Sequence, residues 1–283
     1  MNLVVKNQRD TAPVGAEKLY RDALVSKGTL MLVDFSNKGS TFEGDLTKGV
    51  YDLARDAAEL LGVNTYPEFK TTTAIPSLTA EKGLPMTNMG AVNQDDFSVG
   101  LNFNGINKYL YDHQPNCVVI FWIKLDMSRP NLISSRIIRT QDTATVGNIA
   151  VITPSPTNPQ ISVRVADKST LANYNIGTGY VQVGIEYTGN ATKNKVYING
   201  AYLQEGVDSV GGFLPSSGAG VLSIGAKNAT TGNSPANIYR VLVEDLSVSG
   251  RTALQLIQKD YNYVNQLGEY AGKNTRRPFA NAA

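Results

Sequence analysis

Residues 180–206 of the chain read YVQVGIEYTGNATKNKVYINGAYLQEG, and this stretch decides the fold class. Apolar residues occupy alternate positions of the segment VQVGIEY, and a period of two predicts a strand with one buried face. Two shorter strands are predicted over 195–198 and 201–204, on either side of Asn199-Gly200. Because both residues of an Asn-Gly pair tolerate positive φ, the pair suits a type I′ turn. The stretch therefore predicts a strand, a loop and a tight hairpin.

The composition fits a β-rich protein with an ordinary hydrophobic core. The chain has 283 residues, of which 42% are hydrophobic and only 18% are charged, so uncharged polar residues must supply much of the surface. This length suits one large β domain, or one domain with extra terminal elements. The formal net charge is +2. Global electrostatics therefore predicts neither a nucleic-acid partner nor binding to an anionic membrane.

The cysteine content and the first residues restrict the compartment in which the protein is made. Cys117 is the only cysteine, which excludes a disulfide-stabilised secreted domain, and its apolar surroundings predict a buried, inert thiol. The first ten residues lack the apolar region of a signal peptide. The longest apolar run, 117–123, is too short to cross a bilayer. We therefore expect synthesis in a cytoplasm and no membrane insertion.

The hydrophobic pattern outside the opening stretch predicts more strands and a few helices. Residues 118–125 (VVIFWIKL) are nearly all apolar, which is typical of a central strand covered on both faces, and Trp122 within them is predicted to pack in the core. Asp45 is a predicted helix N-cap. Strands are predicted over 29–34, 97–103, 133–140, 148–153, 161–166, 221–225 and 238–246, and helices over 16–27, 45–61 and 252–264.

The order of these pieces resembles a known family. The segments VVIFWIKL, ISSRIIRT, ISVRVAD, YVQVGIEYTG, KVYINGAYLQEG, VLSIG and NIYRVLVEDLSVS, followed by a helix, are similar to the laminin-G-like or concanavalin-A-like jelly roll. The resemblance implies a mainly β fold, a two-sheet antiparallel jelly roll with a few peripheral helices and extended terminal arms. It implies no single activity, because the fold hosts lectins, hydrolases, lyases and adhesion modules.

The resemblance also divides the chain into three parts. Residues 1–90 are expected to form an N-terminal arm, a strand and helices that pack on or beside the sandwich. Residues 91–268 are expected to form the laminin-G-like jelly roll. Residues 269–283 have no hydrophobic periodicity and are expected to form a C-terminal tail.

A second resemblance is to bacteriophage virion proteins. It rests on polar terminal arms, a surface rich in Thr, Asn and Gly, one free cysteine and no signal peptide. It implies a capsid decoration, tail or baseplate component that is located in the virion after synthesis in the host cytoplasm, with other virion proteins as partners and a homo-oligomeric state. The predicted assembly contacts are Arg276 and Arg277, which can grip carboxylates, beside the aromatic anchor Phe279.

The residues needed for catalysis are missing from the sequence. A retaining glycosidase needs two carboxylates that reach the same substrate. Glu244 and Asp245 are adjacent, so on a strand they should point to opposite faces. His113, the only histidine, lies in a segment that resembles a loop, and it is interpreted as a surface residue rather than as the partner of a Cys117 nucleophile. The sequence therefore predicts a protein that is not an enzyme.

No cofactor is predicted, and calcium is the metal that the sequence leaves open. Zinc is disfavoured because the chain has only one histidine and one cysteine. Modules of this fold that bind calcium use Asp, Asn and backbone carbonyls at loop tips. Asp95, Asp96 and Asp167 are the candidate ligands, although solvated loop carboxylates are the more common interpretation.

Two functions follow from these observations. The first is a non-enzymatic structural and interaction protein of a virion. The alternative is a glycan-binding module for host surface polysaccharide, which would expose aromatic side chains on a concave face or at loop tips. The candidates for such glycan contacts are Tyr109, Tyr111, Tyr174 and Tyr202.

Overall fold

A computed structural model describes residues 22–63, 67–69, 77–86, 101–103, 105–129, 138–141, 151–165, 168–188, 194–206, 221–224 and 235–265. Its strands are β1 (Thr29–Asp34), β2 (Pro67–Phe69), β3 (Leu84–Pro85), β4 (Leu101–Phe103), β5 (Asn116–Leu125), β6 (Ile138–Gln141), β7 (Val151–Pro154), β8 (Gln160–Val165), β9 (Lys168–Asn175), β10 (Tyr180–Thr188), β11 (Lys195–Ile198), β12 (Ala201–Glu205), β13 (Val221–Ile224) and β14 (Ala236–Asp245). Its helices are α1 (Lys38–Thr41), α2 (Arg55–Leu60), α3 (Ile106–His113), α4 (Leu246–Ser249) and α5 (Ala253–Asn265), with two 3₁₀ turns at Phe42–Gly44 and Leu46–Lys48.

The strands form antiparallel sheets, and the predicted mainly β sandwich is confirmed. The largest sheet has seven strands in the order β1-β14-β5-β10-β11-β12, with β3 also paired to β14. A four-stranded sheet (β2-β4-β13-β6) and a three-stranded sheet (β7-β8-β9) complete the β structure of the described residues. β1 comes from the predicted N-terminal part, yet it pairs with β14 and so belongs to the main sheet.

The main sheet is covered on both faces, as the apolar sequence of β5 predicted. Residues on what we call the inner face, including Val119 and Phe121, share a core with side chains of α3, β8 and β9. Residues on the opposite, outer face, including Val118 and Ile120, pack against helix α5. Trp122 is buried on the outer face, so its predicted core position is confirmed.

The turn between β11 and β12 has the predicted geometry. Asn199 and Gly200 have φ values of 50° and 81°, both positive, as a type I′ turn requires. The turn is also joined to β10, because the backbone N–H of Gln182 donates to Oδ1 of Asn199 at 3.0 Å. The hairpin therefore keeps a fixed position against the neighbouring strand.

The predicted helix over 45–61 is too long. Asp45 caps only a short 3₁₀ turn, where its carboxylate accepts from the N–H of Thr47 at 3.2 Å. Gly49 then takes a φ of 93°, which interrupts the helix, and α2 begins only at Arg55. In the segment between Gly49 and α2, the N–H of Leu53 donates to the carbonyl of Leu32 at 2.8 Å. This segment therefore covers the edge of β1.

Two further differences concern helices. His113 lies at the end of α3 and not in a loop, and this helix was absent from the sequence prediction. Residues 22–28 form turns where the end of the helix over 16–27 was predicted. The predicted terminal arms fall outside the described residues, as do the domain boundaries near 90 and 268. None of the described helices is long and apolar enough to cross a membrane.

Candidate functional site

A cluster of buried charges lies on the outer face of the main sheet. Nη1 of Arg240 donates to Oδ2 of Asp22 and Oδ2 of Asp34, each at 2.9 Å. Nε of Arg240 donates to Oδ1 of Asp260 at 2.8 Å. Burial alone would lower the pKa of Arg240, but the three carboxylates outweigh it and raise this pKa well above its ordinary value. The guanidinium therefore stays charged at every pH at which the protein is folded.

The carboxylates of this cluster are occupied by protein donors. Oδ2 of Asp260 also accepts from the indole Nε1 of Trp122 at 2.7 Å and from Nε2 of Gln182 at 2.8 Å. Asp22 accepts from the N–H of Leu24 at 3.0 Å. All of these side chains are buried, so the cluster holds the fold together and offers no surface to a ligand.

The adjacent carboxylates of β14 point to opposite faces of the sheet, as predicted. Glu244 lies on the outer face, where it accepts from Oγ1 of Thr29 at 3.0 Å and from Nε of Arg251 at 2.7 Å. Asp245 lies on the inner face, where it accepts from the hydroxyl of Tyr109 at 2.8 Å. Its other oxygen caps helix α4. These two carboxylates therefore cannot act on one substrate.

The four predicted tyrosines lie in different environments. Tyr109 is buried in α3, and its ring stacks on His113 with 4.2 Å between centroids. Burial, followed by the bond to Asp245, raises the pKa of Tyr109, so its hydroxyl stays protonated. Tyr174 is half-buried against the inner core. Tyr111 on α3 and Tyr202 on β12 are 39% and 51% exposed, so these two can reach a ligand.

Tyr202 belongs to a tyrosine pair on the outer face of the main sheet. It lies directly opposite Tyr197 of β11, and the two rings meet edge to face with centroids 5.7 Å apart. Tyr197 is only 4% exposed, so it is part of the core and supports the exposed ring of Tyr202. We call Tyr197 and Tyr202 the tyrosine pair. The sequence analysis selected Tyr202 but missed Tyr197, although the register of the KVYING hairpin could have paired them.

A row of charged side chains crosses the same face next to the tyrosine pair. Glu186 of β10 lies opposite Lys195 of β11, which in turn lies opposite Glu205 of β12. Nζ of Lys195 is 3.5 Å from Oε1 of Glu186, and the hydroxyl of Tyr197 donates to the other oxygen of that carboxylate. We call Glu186, Lys195 and Glu205 the charged row.

Helix α5 borders this surface because two contacts determine its path across β10. The side-chain amide of Gln182 donates to the carbonyl of Ile257 at 2.9 Å and to Asp260. The next residue on this face, Gly184, has no room for a side chain, since a Cβ there would lie 2.6 Å from Cδ1 of Ile257. The helix therefore runs antiparallel to β10. Leu254, one turn earlier, is 38% exposed.

The Tyr197 hydroxyl is protonated and donates to Glu186. Burial raises the pKa of Tyr197, and the bond to Glu186 raises it further. The hydroxyl therefore stays protonated and keeps one oxygen of Glu186 in place. The surface offers an aromatic ring, carboxylate acceptors and an ammonium donor within a few side chains of one another, and these groups can bind a polar ligand that also has an apolar face.

The remaining predicted site residues lie outside the described residues. These are the candidate calcium ligands Asp95, Asp96 and Asp167 and the candidate assembly contacts Arg276, Arg277 and Phe279. Calcium binding and assembly through the tail therefore stay predictions. In the part of the chain that the structure describes, no three His, Cys, Asp or Glu side chains are grouped to hold a metal ion.

Comparison with known proteins supports the fold. Trypanosoma rangeli sialidase in complex with 2,3-difluorosialic acid (a covalent intermediate) is similar, with a TM-score of 0.57, 12% sequence identity and coverage of 95% of this chain and 39% of the sialidase. The botulinum neurotoxin serotype D binding domain has a TM-score of 0.55 and 14% identity, and the match covers 84% of this chain and 52% of that chain. The binding domain of botulinum neurotoxin DC in complex with SialylT has a TM-score of 0.54 and 12% identity. This match also covers 84% of this chain and 52% of that chain.

These similarities establish a β-sandwich of the jelly-roll type and nothing more specific. The chain spans only 39% of the sialidase and 52% of the neurotoxin binding domains. No family model matches the sequence, and a search of curated proteins finds no match. The activities of the similar proteins therefore cannot be transferred to this chain by likeness alone.

Proposed function

We propose that the protein is a non-enzymatic glycan-binding module and that a sugar ring stacks on Tyr202. The observation that carries this proposal is the tyrosine pair. Tyr202 is 51% exposed, and its ring packs edge to face on the buried ring of Tyr197, which favours one orientation of the exposed ring. A preoriented aromatic ring loses little conformational entropy when a ligand binds, which favours affinity.

The groups around Tyr202 suit a sugar. A sugar ring has an apolar face of C–H groups, which can lie on an aromatic ring, and a rim of hydroxyl groups that donate and accept hydrogen bonds. The carboxylate of Glu186 can accept from such hydroxyls, and the ammonium of Lys195 can donate to them. Both side chains are partly exposed next to the tyrosine pair.

Structures of similar fold that are described with glycan or ganglioside ligands support the proposal by analogy. One similar neurotoxin binding domain is described as a complex with SialylT, and cell entry of botulinum neurotoxin type C, another similar structure, is described as dependent upon interaction with two ganglioside molecules. Both likenesses are at or below 12% identity, so they support the class of ligand and do not identify it.

The absence of turnover is proposed from the positions of the carboxylates. Glu244 and Asp245 lie on opposite faces, and each is held by protein donors. Sialidases are among the similar structures, so an assay for glycan hydrolysis is the direct check. We expect no released reducing ends or free sialic acid from a panel of neutral and acidic glycans.

A role within a virion is a second proposal, and it rests on the sequence resemblance alone. The tyrosine pair favours the glycan-binding alternative, since a purely structural role gives no reason for a supported, half-exposed aromatic ring. Location in a virion, homo-oligomerisation and partners among other virion proteins are compatible with glycan binding. They would be tested by finding the chain in purified particles.

The proposed function can be tested on a glycan array with three variants. Tyr202→Ala should lower binding at least tenfold, whereas Tyr202→Phe should retain it, because stacking needs the ring and not the hydroxyl. Tyr111→Ala is the matched control, since Tyr111 is a second exposed tyrosine on a different element and should not affect binding. Equal binding by the Tyr202→Ala variant and the unmodified protein would rule out this site, provided that both have the same melting temperature.

A further inference from the structure

The charged row contains two carboxylates and one ammonium group. Glu186, Lys195 and Glu205 face the same side of three successive strands, so a ligand on Tyr202 meets all three charges. The formal charge of this row is negative by one unit, although the whole chain carries a net charge of +2. The charge of this row is therefore opposite in sign to the net charge of the protein.

The one cation of this row is already paired. Nζ of Lys195 lies 3.5 Å from Oε1 of Glu186, and the backbone register places Glu205 directly across from it on the other side. An incoming carboxylate would have to compete with Glu186 for the ammonium group. It would also come close to two charges of its own sign, and like charges at such distances repel each other even in partly exposed sites.

Other cations on the outer face are held by partners of their own, and Arg251, which precedes α5, is paired with Glu244. Lys259 of α5 donates to the carbonyl of Ala23 at 3.4 Å. Arg240 is buried among its three aspartates and cannot reach the surface.

From these observations, and resting on the proposed function, we infer that the site selects neutral glycans and rejects glycans with a carboxylated sugar at the stacked position. The ligand class is an uncharged oligosaccharide whose hydroxyl groups donate to Glu186 and Glu205 while its C–H face lies on Tyr202. The charged row is the element that determines this specificity, because the ring of Tyr202 alone would accept neutral and acidic sugars equally.

The test uses pairs of oligosaccharides that share a core and differ only in a terminal sialic acid, such as lactose and 3′-sialyllactose. We expect the unmodified protein to bind the neutral member at least tenfold more tightly at low salt. The preference should shrink in 1 M NaCl, because salt screens interactions between exposed charges. A glycan array of such pairs identifies the core that is bound best, and titration calorimetry then measures both members of that pair.

Charge reversal in the row should reverse the preference. In the Glu205→Lys variant the row changes from a net charge of −1 to +1, so we expect the sialylated member to gain at least tenfold, whereas the neutral member should weaken because it loses Glu205 as a hydrogen-bond acceptor. Glu59→Lys is the matched control, because Glu59 is an exposed glutamate on α2, which packs on β1 at the other edge of the sheet. It makes the same change in net charge and should leave the preference unaltered.

The outcomes separate this inference from the proposed function. Binding that requires Tyr202 but favours the sialylated member, or is indifferent to it, would overturn the inference and leave glycan binding intact. Binding that does not require Tyr202 would overturn the proposed site and the inference with it. If no member of the array is bound, glycan binding itself is wrong and so is the inference.

Discussion

The indole Nε1 of Trp122 donates a hydrogen bond of 2.7 Å to Oδ2 of Asp260, and both side chains are buried. Trp122 is at the centre of the main sheet, on β5, and Asp260 is on the helix that covers the outer face. One bond therefore joins the two layers of the outer core. Water cannot replace the indole N–H as the donor to Asp260, because neither side chain is open to solvent.

Replacing Trp122 by Phe is expected to lower the free energy of unfolding. The lost hydrogen bond alone should cost about 1–3 kcal/mol, and the smaller ring adds to this loss. The carboxylate of Asp260 would lose one donor in a buried site. Chemical denaturation monitored by far-UV circular dichroism measures the change. An unaltered midpoint would show that Asp260 finds another donor without cost.

Replacing Arg240 by Met should destabilise the protein more strongly. The variant would remove the buried guanidinium that binds Asp22, Asp34 and Asp260, and breaking a buried ion pair from one side typically costs about 3–5 kcal/mol. Arg55→Met is the matched control, since Arg55 forms an exposed pair with Glu59 on α2, and such pairs contribute less than about 1 kcal/mol. Equal losses in the two variants would mean that the buried cluster does not stabilise the fold.

The turn residue Gly200 is expected to resist substitution by valine. Its φ is +81°, and a Cβ at this position would lie 3.2 Å from the ring of Tyr261. Strain at such a position costs on the order of 1–3 kcal/mol. Gly179→Val is the control, because a Cβ at Gly179 meets nothing within 4 Å. The melting temperature should fall for Gly200→Val and stay nearly constant for the control.

Stability should decline in alkaline solution because of buried phenols. Burial raises the pKa of Tyr187 from its ordinary value of 10.0 to about 12. Between these values the unfolded chain releases the phenol proton and the folded protein retains it. The contribution of Tyr187 to stability is therefore complete below pH 10 and is lost as the pH rises to 12.

The control for this pH dependence is Tyr187→Phe, which has no proton to lose. Unfolding by urea at pH 9, 10 and 11 should show a smaller decline for the variant than for the unmodified protein. Parallel declines in the two proteins would indicate that the phenol of Tyr187 titrates normally in the folded state.

Features set by neighbouring residues were predictable from the sequence. The central strand β5 follows from an unbroken apolar run, and the turn at Asn199 and Gly200 follows from the φ values that this pair tolerates. Helix α3 was missed because it is short and its start and end depend on left-handed residues, Gly105 and Gln114, whose φ values are 89° and 45°. Such caps leave only a weak signal in the sequence.

Features that join distant parts of the chain were not predictable. Asp22 and Arg240 are 218 residues apart, and no periodic pattern relates them. The same holds for Tyr109 and Asp245, which are 136 residues apart. Each contact joins a residue of β14 to a residue outside the sheet, so it depends on how helices and turns pack on the sheet in the folded protein. Tyr202 could be selected by its residue type, and its pairing with Tyr197 follows from the predicted turn, but the burial of Tyr197 became evident only from the fold.

Arg240 also joins parts of the chain that are synthesised at very different times. Asp22 and Asp34 leave the ribosome early, but their counter-charge is made 218 residues after Asp22. Asp260, which completes the cluster, emerges later still. Until that moment Leu24 and the outer side of β5 have no helix to cover them, so the nascent protein exposes apolar surface for most of its translation.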